Sequence, residues 1–141
     1  MKLQAFGLLL TTSIMAHAEA PTCPAPPNTT VTSKLAKLPK PVLEALHTKS
    51  ADIVEAGQPF DATDVVMHGA HFTRFAFAWS RGSRWILITE RGGIAYSNPV
   101  YSIQYKIGEP TATITQTNAA SPRNVCEVAT DSLNGKVDLS Q

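Results

Sequence analysis

Phe75-Ala76-Phe77-Ala78-Trp79-Ser80-Arg81-Gly82-Ser83-Arg84-Trp85-Ile86-Leu87-Ile88 is the stretch whose reading decides the fold. Large aromatic residues alternate with small ones, Gly82 marks a tight turn, and a second apolar run follows. That pattern is a β-hairpin. The two turn residues are Arg81-Gly82 or Gly82-Ser83, and both registers keep the same pairing parity. Phe75, Phe77, Trp79, Ile86 and Ile88 are therefore expected to share one face, the core face. Parity also puts Glu90, Arg81 and Arg84 on that face, with Arg74 and Arg91 on the other.

Working outward, the period of two continues downstream. Tyr101, Ile103, Tyr105 and Ile107 alternate with Ser102, Gln104 and Lys106. Gly108-Glu109-Pro110 then turns the chain into Thr111 to Thr117, with Ile114 inward. Asn124 to Ala129 reads as a last short strand carrying Cys126, and Thr63 to Met67 as a candidate strand ahead of the hairpin. Before that the period is helical. Pro41 suits a first helical turn, and Val42, Leu43 and Leu46 fall on one side. A second short turn around Ile53-Val54 ends at Gly57. The expected fold is α+β: an N-terminal helix packed on an antiparallel β-meander of about four to six strands.

The beginning of the chain carries a different signal. Met1-Lys2 is a short positive start, Ala5 to Ala16 is an apolar run too short to span a bilayer, and small residues follow in an A-x-A pattern. Residues 1–18 are expected to be a bacterial signal peptide cut after Ala18, with Ala20 as the alternative. Ala20-Pro21-Thr22 before Cys23 is not a lipobox, so neither a lipid anchor nor a membrane anchor is expected. Residues 19–32 form a Pro/Thr-rich lead-in, 33–130 a single domain, and 131–141 a polar, frayed tail. Asn28-Thr29-Thr30 matches a glycosylation sequon, which a bacterial exported protein would not use.

Two cysteines, Cys23 and Cys126, remain in an oxidising compartment. An even count of two implies one disulfide closing a loop of roughly 100 residues. The mature chain would keep 11 basic and 11 acidic residues. That balance supplies no global field for nucleic acid or an anionic surface.

Chemistry-bearing constellations are sparse. His68 and His71 lie three apart beside Gly69, a loop spacing that enforces no shared face, and His47 lies on the helix; no metal site and no cofactor are expected. Arg74, Arg81, Arg84 and Arg91 divide into two pairs on opposite faces instead of one stripe, which argues against nucleic acid. Glu90 ends an apolar row, so it either escapes at the sheet rim or is held by a partner. Small secreted ribonucleases use a sheet-borne Glu, an Arg and a His. Glu90, Arg84 and His71 are the chemically matching trio for that alternative, a small secreted hydrolase.

The remaining feature is Arg91-Gly92-Gly93-Ile94-Ala95-Tyr96-Ser97-Asn98-Pro99, too long for a tight hairpin turn and closed by a rigid Asn-Pro. Loops of this kind carry binding residues. Arg91, Gly92, Gly93, Tyr96 and Asn98 are the candidate binding residues, with Tyr96 as the anchor. The plan of a small exported β domain with one disulfide is similar to periplasmic lysozyme inhibitors and to immunity proteins, in architecture alone. That resemblance implies a non-catalytic periplasmic or secreted inhibitor whose partner is a protein, a cell-wall hydrolase or a toxin.

Overall fold

The hairpin is built from β2 (Thr73–Arg81) and β3 (Arg84–Arg91), paired antiparallel with Arg81 opposite Arg84. The turn residues are thus Gly82-Ser83. Gly82 takes a φ of 59° while Ser83 does not enter the positive region, the combination of a type II′ turn. The computed structural model describes residues 19–63, 69 and 71–136. The proposed signal peptide, most of the candidate strand at 63–67, and His68 lie outside the described residues.

Around the hairpin the chain builds one antiparallel sheet in the order β1-β2-β3-β4-β5. The short edge strand β1 is Thr30–Thr32, β4 is Val100–Gln104, and β5 is Thr113–Asn118. Two helices complete the α+β fold: α1 (Lys40–His47), which carries Pro41 in its first turn, and α2 (Val125–Leu133). Val54 joins β2 beside Arg74, accepting from Phe75 N–H at 2.9 Å and donating to Thr73 at 3.0 Å.

Three expectations are corrected. The register of β2 against β3 shifts between Phe75 and Phe77, leaving Ala76 as the extra residue of a bulge. A bulge reverses which face later residues occupy. Phe75 accordingly joins Ala78, Leu87, Tyr101 and Ile103 in one buried cluster with Val42, Ala45 and Leu46 of α1. Phe77, Trp79, Ile86 and Ile88 instead join Val100 and the α2 residues Val125, Ala129 and Leu133. The five hairpin residues do not share a face, and both faces of the sheet are buried.

The second correction is α2, where a strand was expected. Val125, Ala129 and Leu133 recur at intervals of four, the spacing of one helical face, and all three are buried. The helix continues through Asp131 and buries Ser132, so the expected frayed tail begins inside an ordered element. Third, β4 ends at Gln104. Ile107, expected to be a strand residue, is 90% exposed in the turn that follows.

Cys23 and Cys126 are disulfide-bonded, with Cα atoms 5.3 Å apart. The bridge ties the lead-in to the first turn of α2 beside the Phe77–Trp79 cluster. Among the described residues no helix is long and apolar enough to cross a membrane.

Candidate functional site

The bulge has a direct chemical consequence at the open end of the hairpin. It brings Arg74 opposite Glu90, on the same face, where unbroken alternation would have separated them. Glu90 is completely buried. Arg74 Nε donates to its Oε2 at 2.6 Å and Nη2 to its Oε1 at 2.9 Å, a two-point clamp. Arg74 also donates through Nη1 to the Gln58 carbonyl at 3.2 Å, and its guanidinium carbon lies 4.2 Å from the centre of the Phe60 ring. A carboxylate at the end of an apolar row is therefore held, not escaping.

This pair anchors the loop that follows β3. The Tyr96 hydroxyl donates to Glu90 Oε1 at 2.8 Å. Burial, together with the hydrogen bond and charge of Glu90, pushes the Tyr96 hydroxyl up to about 12, although Asn98 and Arg74 pull the other way. Arg91 and Ser97 exchange two backbone hydrogen bonds of 2.9 and 3.0 Å, closing the loop across its neck. Asn98 is fully buried, with its N–H on the Ala120 carbonyl at 2.7 Å and Nδ2 on the Thr89 carbonyl at 3.3 Å. Gly92 donates to the Phe72 carbonyl at 2.9 Å. A Cβ at Gly92 would sit 1.8 Å from the Asp61 carbonyl oxygen, so only glycine fits there.

Of the five candidate binding residues, Asn98 and Tyr96 turn inward. Asn98 is out of solvent, whereas Tyr96 is half-buried, its hydroxyl bonded to Glu90. Gly92 is a packing element. Arg91 remains exposed beside Gly93, whose φ is 107°. The residue that stands out is Ile94, 91% exposed at the apex.

The trio Glu90, Arg84 and His71 is not assembled. Glu90 and Arg84 sit at opposite ends of β3, about 20 Å apart by strand rise. Arg84 Nη1 donates to the Leu133 carbonyl at 2.9 Å, and His71 Nδ1 lies 3.1 Å from the Asp52 carbonyl. Among the described residues, no group of three or more His, Cys, Asp or Glu is placed to hold a metal ion. Compared with protein-family models, curated proteins and solved structures, the chain matches none.

Proposed function

We propose that this chain is an exported, non-catalytic binding or inhibitor protein, whose Gly92–Pro99 loop inserts into a cleft of a protein partner, a cell-wall hydrolase or a toxin. In this reading, residues 1–18 are a signal peptide and the mature protein works in the periplasm or outside the cell. The sheet, with α1 over one face and α2 over the other, serves as a rigid platform.

The observation that carries the reading is the contrast between the fixed stem of the loop and its bare tip. The stem is held by the Arg91–Ser97 backbone pair, the Tyr96–Glu90 hydrogen bond, the Asn98 contacts and the Gly92–Asp61 packing. The tip presents Ile94, with no covering group. A loop ordered before binding loses little entropy on docking, and an isolated aliphatic side chain on a rigid support suits insertion into an apolar subsite.

The test is capture from a cell-envelope extract with mature protein, followed by affinity measurement on the purified partner. Ile94→Asp should weaken binding at least about tenfold, by leaving a carboxylate desolvated at the contact. Its thermal stability should match that of the parent protein. Unchanged affinity would place the interface elsewhere.

A further inference from the structure

At the closed end of the hairpin, two cations face each other. Arg81 and Arg84 are direct cross-strand partners flanking the Gly82-Ser83 turn. Like charges in that position repel. Both side chains are on the α2 face and reach towards its C-terminal end. Arg81 donates to Asn134 Oδ1 at 3.1 Å and to the Pro27 carbonyl at 3.0 Å, and Arg84 to the Leu133 carbonyl. Each of these acceptors is neutral. Among the described residues, no carboxylate lies within ion-pair distance of either guanidinium. Arg81 Nε is occluded from solvent without a hydrogen-bond acceptor.

The two arginines border a shallow cleft completed by Ser83, Gln104, Leu133 and Asn134. Gln104 Nε2 donates to Ser83 Oγ, which leaves the serine proton free to be given to something else. The C-terminal end of α2 contributes about half a negative charge, against two full positive ones. The local balance stays positive by about 1.5 charges, inside a concavity that concentrates the field.

We propose that this cleft is an oxyanion-binding site, taking a phosphate or carboxylate group between Arg81 and Arg84 with Ser83 Oγ as an added donor. An oxyanion there relieves the cross-strand repulsion and gives the guanidinium forks the planar or tetrahedral oxygens they match. The site lies at the opposite end of β3 from the Gly92–Pro99 loop and does not depend on the role proposed for that loop.

The experiment is a titration of the mature, disulfide-bonded protein with inorganic phosphate, and separately with acetate, at constant ionic strength. The readout is the backbone amide resonances of Gly82, Ser83 and Gly135. Saturable shifts confined to these amides are expected with at least one of the two ions, and the stronger binder assigns the ligand as phosphate or carboxylate. Arg84→Gln should weaken binding about tenfold or more, the loss of one charge-assisted hydrogen bond. Because Arg84 also holds the end of α2, a second variant keeps both guanidinium groups: Ser83→Glu exchanges the hydroxyl for a carboxylate in the cleft and should abolish binding while keeping the fold. Lys49→Gln, an equal loss of charge at a distant exposed position, should bind like the parent. Shifts reproduced by sodium chloride alone, or unchanged in Ser83→Glu, would overturn the proposal.

Discussion

Arg74 and Glu90 face each other across β2 and β3, joined by hydrogen bonds of 2.6 and 2.9 Å, with the carboxylate entirely out of solvent. The pair exists because Ala76 is bulged out of register between Arg74 and the rest of the strand. Desolvating two charges is costly, and their attraction offsets that cost only while both are present.

Removing one partner should therefore do more harm than removing both. Glu90→Gln, which takes the buried negative charge away from both Arg74 and Tyr96, is expected to cost about 3–5 kcal/mol in urea unfolding. The double variant Arg74→Met, Glu90→Leu should recover much of that loss. Equal destabilisation by the single and double variants would show that the charge pair is not the relevant coupling.

Tyr96 gives the loop an alkaline limit. Its hydroxyl is raised from an ordinary 10.0 to about 12, because the folded protein buries the group and holds its proton against Glu90. A group raised on folding stabilises fully below its unfolded value and loses that contribution as pH climbs through the folded one. Stability is expected to fall between pH 10 and pH 12. Tyr96→Phe should remove a late step, near pH 12, from the tyrosinate absorbance titration.

The two aromatic rings on either side of the bulge report on different helices. Phe75→Ala and Phe77→Ala should each cost about 3–5 kcal/mol, as buried aromatics that leave cavities. Hydrogen exchange separates them: Phe75→Ala should loosen α1, and Phe77→Ala should loosen α2. Loss of protection in the same helix for both would contradict the division of the core.

The Cys23–Cys126 bridge spans 103 positions of sequence. Closing a loop of that length is worth about 4–5 kcal/mol on the chain-entropy model. Replacing both cysteines with serine should lower unfolding stability by an amount of that order, with α2 losing protection first. Non-reduced mass spectrometry should find no alkylatable thiol.

The hairpin, its turn at Gly82 and the disulfide were legible because each rests on local chemistry: alternation, a positive φ, an even cysteine count. The division of the hairpin residues between two faces was not. Phe-Ala-Phe-Ala-Trp alternates without a break, and nothing in it marks Ala76 as the extra residue. A hint did lie in Trp85-Ile86-Leu87-Ile88, since a continuous apolar run signals burial on both sides of a sheet. The helix α2 was signalled too, by Val125, Ala129 and Leu133 at intervals of four. Six residues around Cys126 also fit a strand, and only the longer span separates the two periods.

The candidate site divides in the same way. The length of the Gly92–Pro99 loop and its closing Asn-Pro could be read directly from the chain. Which of its residues point outward could not, because that depends on Glu90 holding Tyr96, on Thr89 and Ala120 holding Asn98, and on Asp61 crowding Gly92. Asp61 lies about thirty residues away along the chain and Ala120 more than twenty. By itself the sequence determined the antiparallel hairpin, the α+β class and the covalent bridge, since short-range alternation, turn geometry and cysteine count are properties of neighbouring or countable residues. Only the tertiary structure decided the register, the second helix's place on the sheet and the fate of each loop side chain, because a single bulged residue reverses faces, and burial is set by groups distant in sequence.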